Sequence, residues 1–241
     1  MNILADMKKN LLAAKNINIV FIGDSITSTE WVHPNWREMI EYALKEELAA
    51  EIKEWKTPSW NIRCFNCGFD GSTTKDILGM LDDRILSVKP TIAIYIENTN
   101  DMHHNTTPEE HKKDVETLIA GLSKVCDIVI LASAIPGDNK EYSATILKYV
   151  NSVKKIKFGK KTLFVNTFDE YSKYDLKKFF TFVSEGNESL GIKSGEIDFC
   201  HPNPLGNAYI AKIILEKVFR IKFNPEKYIV DTLRGEMFPK Y

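Results

Sequence analysis

No run of this 241-residue sequence approaches the apolar length of a membrane span, so it holds no candidate transmembrane helix. Charge of one sign is also missing: 32 basic residues stand against 33 acidic ones, for a formal net charge of -1. So even a balance gives no long-range field to draw in nucleic acid or anionic lipid, and neither is expected as a partner. Cysteine is sparse, at four residues. Residues 1–15 mix Asp6, Lys8, Lys9 and Lys15 among their apolar residues and lack the unbroken apolar core of a secretory signal. The thiols are therefore expected to stay reduced in the cytoplasm, with secretion the alternative if a leader has been removed. Repeats, low-complexity tracts and Pro/Gly-rich linkers are absent as well, so one domain over residues 1–241 is expected.

What is there is a chain 44% hydrophobic and 27% charged, enough for a substantial core. Its apolar residues fall into two patterns that alternate from end to end. Short runs rich in β-branched residues cover 17–22, 91–96, 128–132 and 162–165, with a weaker one at 62–69. They are continuous, as strands buried on both faces are. Between and after them, 36–48, 77–86, 115–122, 146–156 and 208–219 carry apolar residues at helical spacing. Thr107-Pro108-Glu109-Glu110 reads as a helix start, with a capping Thr, Pro at the first position, then two acids. Strand and helix alternating in this way predict an α/β fold, a three-layer α/β/α arrangement around a parallel sheet. The longest polar loop is 184–196, and the tail 222–241 is expected to lie on the outside.

Four places carry chemistry, three of them at the carboxyl ends of predicted strands, where open parallel sheets bind ligands. In Gly23-Asp24-Ser25, a Gly lets the chain turn and leaves a small nucleophilic side chain over the sheet edge. Taken alone, the same residues read more simply as a turn in which Asp24 or Ser25 caps a helix. Gly71-Ser72-Thr73, after the second strand, can present a free backbone N–H at a helix start, or be a plain turn. Asn98-Thr99-Asn100-Asp101 follows the third strand; Asn100 could donate to a developing oxyanion, or be a turn former beside a capping Asp101. In Asp198-Phe199-Cys200-His201, an Asp three residues ahead of a His can accept the imidazole Nδ1–H and leave the other nitrogen as a base. Each place alone has an ordinary structural explanation. Their joint occurrence in this order shifts the balance.

That order resembles the SGNH superfamily of GDSL-type esterases and lipases, over blocks 21–27, 66–74, 98–101 and 198–202. The resemblance implies a flavodoxin-like five-stranded parallel sheet ordered 2-1-3-4-5. It implies Ser25 as nucleophile, His201 as general base and acid, and Asp198 as the group orienting His201. It further implies an oxyanion hole from the Ser25 N–H, the Gly71 N–H and the Asn100 side chain, with Gly68 a second candidate for the middle donor. No metal and no organic cofactor is called for. The partner is a small-molecule ester, most simply an acetyl or other short-acyl ester on a carbohydrate. The same superfamily covers lysophospholipase- and thioesterase-type lipases and O-acyltransferases, and a non-catalytic binding module is the alternative of a different class. Two positions depart from the pattern: Asn98 stands where Gly is usual, and Ile26 where many members have Leu.

Asp24, Trp31, Asn98 and His104 are candidate substrate contacts. Trp36 and His33 share the stretch after the nucleophile, with packing the commoner use of a large aromatic. Cys64-Phe65-Asn66-Cys67 is a CxxC, but it lies in a strand with no second pair to complete a zinc site, and two buried thiols account for it better. Asp101 with His103 and His104 could hold a metal; adjacent histidines point in different directions, which favours loop residues at the rim.

Overall fold

The computed structural model describes residues 2–28 and 32–233. Five runs of largely β-branched residues form the strands β1 (Ile17–Gly23), β2 (Ile62–Gly68), β3 (Ile92–Ile96), β4 (Ile128–Ala132) and β5 (Thr162–Val165). All pair in parallel, in the order β2-β1-β3-β4-β5. Successive strand side chains point to opposite faces, and the core divides accordingly. Ile17, Ile19, Phe21, Ile92, Ile94, Ile128 and Ile130 point to one face, and Val20, Ile22, Ala93, Tyr95, Val129 and Leu131 to the other. Helices cover both faces. The first is closed by α1 (Ile3–Leu12), α3 (Trp36–Ile52) and α9 (Pro204–Ile214), the second by α5 (Thr74–Gly79), α6 (Pro108–Val125) and the C-terminal end of α7 (Lys140–Val153). This is the expected three-layer α/β/α fold with the expected strand order.

Helices α5, α6, α7 and α9 begin before their apolar stripes, because polar caps set the start, whereas α3 begins with its stripe at Trp36. Asn35 and Glu38 form a capping box at α3, Thr73 and Asp76 at α5, and Thr107 and Glu110 at α6, where Pro108 takes the first position. Asn139 and Asn203 cap α7 and α9. The pattern over 77–86 is not one helix: α5 ends at Gly79 and passes into a π turn, Leu81–Ile85. The stripe over 208–219 likewise splits between α9 and a π turn, Leu215–Phe219. Short helices α2 (Ser25–Ser28), α4 (Lys56–Asn61), α8 (Thr167–Tyr171) and α10 (Pro225–Leu233) complete the chain. Among the described residues no helix is long and apolar enough to cross a membrane.

After β1 the chain moves out to β2, then crosses back to β3 on the other side of β1. The crevice between the segments following β1 and β3 is the switch point where such sheets bind ligands. Ile94, at the sheet centre, is fully buried. Ile94→Ala should lower unfolding free energy by about 2–5 kcal/mol, measured by chemical denaturation; a loss below about 1 kcal/mol would contradict this account of the core.

Candidate active site

Ser25 opens α2 directly after β1. Asp24 does the capping: its Oδ1 accepts the Ile26 N–H at 3.1 Å, which leaves the Ser25 hydroxyl uncommitted to its own helix. The carbonyls of that short helix are held from outside. Ile26 O accepts from Asn35 Nδ2 at 3.0 Å and Trp36 Nε1 at 3.1 Å, and Thr27 O accepts from Arg37 Nε at 2.8 Å. Trp36 is fully buried, edge-on to Phe21, and is a packing residue.

Ser25 Oγ lies 2.9 Å from His201 Nε2, across 176 residues of sequence. His201 Nδ1 is 2.7 Å from Asp198 Oδ2. The other oxygen of Asp198 accepts the backbone N–H of Cys200 at 2.8 Å and of His201 at 3.0 Å. One carboxylate thus folds its own turn and orients the ring, which is why the two residues stand three apart. An ionised carboxylate only accepts, so Nδ1 carries a proton, and in the neutral ring Nε2 faces the hydroxyl with its lone pair. Burial would raise the Asp198 pKa, but the His201 ring and the two N–H donors outweigh it and hold it below the usual carboxylate range. Burial disfavours the imidazolium of His201, yet the neighbouring Cys200 sulfur and the Asp198 carboxylate hold its pKa above the ordinary histidine value.

Gly71 sits in the turn after β2 with φ +68°, a conformation that L side chains rarely adopt. Its N–H has no hydrogen-bond partner among the described residues. Gly68 differs: its N–H donates to Asn66 Oδ1 at 2.9 Å, and a Cβ there would come within 2.5 Å of the Ser28 backbone. Gly68 is glycine because α2 passes so close. That leaves Gly71 as the residue of the two with a free donor. Asn100 Nδ2 donates to Ser72 O at 3.1 Å, which commits one of its two hydrogens.

Three of the four candidate substrate contacts take other places. Asp24 is 1% exposed, and its Oδ2 accepts the Thr99 N–H at 2.9 Å and the Thr99 hydroxyl at 3.1 Å, so it ties the first loop to the third. Asn98 is also buried, and its Nδ2 reaches Ser72 O at 2.9 Å. It fills the usual glycine position by bracing the turn that follows Gly71. His104 is exposed, within electrostatic reach of Asp76. Trp31 lies outside the described residues. His33 is exposed beside Glu38.

Sequence reasoning missed Tyr142, a buried residue whose ring meets Phe199 at 5.2 Å, with its hydroxyl within electrostatic reach of Thr99 and Cys200. It also missed Glu97 and His111, buried below the third loop. His111 shares the apolar stripe of α6 with Val115, Leu118 and Leu122, a sign of a buried imidazole in need of partners.

Ser25, Ile26, Val32, Asn35 and His201 border a pocket of about 10 Å³. A wider cleft of about 410 Å³ is bordered by Met102, His103, Glu141, Tyr142, Leu190 and Phe199. The His103 ring stacks on Tyr142, and its Nε2 has no hydrogen-bond partner among the described residues. A larger cleft of about 770 Å³, edged by Tyr174, Tyr209 and Phe223, contains none of the site residues.

Cys64 and Cys67 are free thiols whose pKa values burial pushes up, Cys67 to about 11, so neither offers a thiolate near neutral pH. Among the described residues, Asp198, Cys200 and His201 form a trio of potential metal ligands with atoms within 4.8 Å of one another. Both ring nitrogens of His201 are already engaged, one by Asp198 and one by Ser25.

The model of the GDSL-like lipase/acylhydrolase family matches residues 21–209. No curated protein sequence matches the chain. Among solved structures, it is similar to an acetylxylan esterase from Geobacillus stearothermophilus, with TM-score 0.65 and 18% identity over 88% of this chain and 96% of that one. It is similar to a lipase/acylhydrolase from Enterococcus faecalis, with TM-score 0.62 and 20% identity over 86% of this chain and 98% of that one. An alpha/beta hydrolase enzyme from the metagenome of Lake Arreo, Spain, matches with TM-score 0.61 and 19% identity over 83% and 94% of the two chains. At these identities the likeness is one of fold.

The Asp198 carboxylate favours the charged ring, so removing its charge should lower the His201 pKa. Asp198→Asn, followed by proton NMR titration of the imidazole, should show that fall; an unchanged titration would contradict the pairing.

Proposed function

The chain belongs to the GDSL-like lipase/acylhydrolase family and is a carboxylic ester hydrolase; from that premise we propose that it acts through an acyl-enzyme on Ser25 and removes a short acyl group, acetyl above all, from a carbohydrate-type alcohol. The observation that carries the Ser25 assignment is the relay of 2.9 Å from Ser25 Oγ to His201 Nε2 and 2.7 Å from His201 Nδ1 to Asp198 Oδ2.

In this reading Ser25 Oγ attacks the ester carbonyl while His201 Nε2 takes its proton. The oxyanion accepts from the Ser25 N–H, the Gly71 N–H and the second hydrogen of the Asn100 amide. Collapse of the tetrahedral species breaks the bond to the alcohol, which leaves with the proton held on His201. Water then repeats the cycle on the acyl-enzyme, activated by the same nitrogen. Asp198 stays ionised throughout and stabilises the imidazolium formed in each half. Donors already fixed where charge develops supply the largest share of the acceleration.

The wider cleft supports a polar alcohol: Tyr142 and Phe199 border it with aromatic surface, while the exposed Glu141 gives a hydrogen-bonding edge. The similar acetylxylan esterase points the same way.

A panel of p-nitrophenyl esters of rising chain length, run beside acetylated sugars, tests this proposal. Turnover should be greatest for acetyl, fall with chain length, extend to the acetylated sugars and vanish in Ser25→Ala. Asn100→Ala should keep the fold and lose about a hundredfold in kcat. An optimum at long chains would favour a lipase reading, and full activity in Ser25→Ala would defeat the proposal.

A further inference from the structure

A second set of charges sits beneath the oxyanion donors, and the steps above leave it unused. Glu97 and His111 are fully buried and Asp101 is 1% exposed. His111 Nε2 is hydrogen-bonded to Glu97 Oε1 at 2.9 Å, while His111 Nδ1 lies 3.1 Å from Asp101 Oδ1, within ion-pair distance but without hydrogen-bond geometry, and 3.3 Å from Thr74 Oγ1. Asp101 Oδ2 accepts the Thr74 N–H at 2.9 Å and the Thr74 hydroxyl at 3.0 Å. Glu97 Oε2 accepts the Ala134 N–H at 3.4 Å.

The positions of these residues give the set its meaning. Thr74 begins α5, three residues after Gly71, and Asp101 follows Asn100 directly. Glu97 follows β3, Ala134 lies just beyond β4, and His111 is in the first turn of α6. The strand ladders end below all of these residues. The spacing between the Gly71 N–H and the Asn100 amide therefore depends on side chains, and the bridge from Thr74 to Asp101 spans that spacing.

Two carboxylates share one buried volume. A neutral imidazole leaves both carboxylate charges uncompensated in that volume; an imidazolium, within ion-pair distance of both, offsets one of them. The other titratable groups facing the set are Tyr95, whose hydroxyl is 3.1 Å from Thr74 Oγ1, and Tyr149 of α7, whose ring meets His111 edge-on at 5.5 Å. Both are neutral near pH 7.

We propose that His111, as an imidazolium between Glu97 and Asp101, is a positioning residue that holds the Asn100 segment against the Gly71 segment and so sets the geometry of the oxyanion hole. The proposal rests on the reading of Gly71 and Asn100 as oxyanion donors. It is separate from the Ser25–His201–Asp198 relay, which His111 does not touch. Burial works against the charge on His111, but Asp101 and Glu97 outweigh it and lift its pKa to about 9. The charged form is therefore complete at neutral pH and is lost as pH rises through about 9.

The test measures kcat and KM for p-nitrophenyl acetate across pH in native enzyme, His111→Gln, Thr74→Val and Thr74→Ser, with Ser25→Ala as control. In His111→Gln, kcat should fall at least about tenfold while KM stays within about twofold, since misplaced donors act on the transition state. Native kcat should decline as pH passes about 9, and His111→Gln should lack that decline. Thr74→Val, which removes the hydroxyl link to Asp101 and leaves the ion pairs in place, should lower kcat in the same sense, and Thr74→Ser should restore it. Native kcat in His111→Gln with the alkaline decline intact overturns the proposal. If His111→Gln does not fold, Thr74→Val decides, and native kcat there overturns it equally. A native enzyme without turnover, or turnover that survives in Ser25→Ala, would instead defeat the hydrolase reading of the site.

Discussion

Beyond the ends of the strands, carboxylates take over the work that ladder hydrogen bonds do within the sheet. Asp24 accepts from Ile26 and from Thr99, so one buried group both starts the helix carrying Ser25 and fastens it to the loop of Asn100. Asp101 accepts from Thr74 and fastens that loop to the turn of Gly71. Asp198 accepts from its own turn with one oxygen and from the His201 ring with the other. Each is an acceptor facing backbone N–H groups that the loops would otherwise leave unpaired, a loss costing about 1–3 kcal/mol per group. The reacting atoms inherit their spacing from these bonds.

This division of labour explains what the sequence could and could not reveal. The strands were legible because a sheet covered on both faces needs unbroken β-branched runs, and each of the five runs is a strand. Helix starts were legible where the cap itself was read, as at Thr107, and at Trp36; elsewhere periodicity marks the apolar stripe, whereas the true start is a polar cap such as Thr73 or Asn203. The π turns at Leu81–Ile85 and Leu215–Phe219 break helices whose apolar spacing runs on without interruption.

In the site, Ser25, Asp198 and His201 could be picked out because their chemistry is written locally, in a strand-end turn and a three-residue spacing. The roles of Asp24 and Asn98 could not, since each depends on which loop lies opposite. Asp24 looked like a cap or a substrate contact and is a cap that also spans to Thr99, 75 residues away. Asn98 looked like a departure from the family pattern and a candidate substrate contact, yet it braces Ser72 from within the core. His111 and Glu97 are 14 residues apart and meet only because α6 folds back over the end of β3. Nothing short of the fold brings them together.

The relay at Ser25 and the loops around it make one account of the proposed acyl transfer: a hydroxyl activated by His201 and an oxyanion met by donors fixed in advance. Its central claim is covalent. Rapid mixing with an acetyl ester, acid quenching and peptide mapping by mass spectrometry test it most directly. The account predicts an acetyl group on the peptide containing Ser25, formed within the first turnover and lost as water completes the cycle. Ester turnover with no adduct at Ser25 at any quench time, or with the acetyl group on another residue, would contradict it.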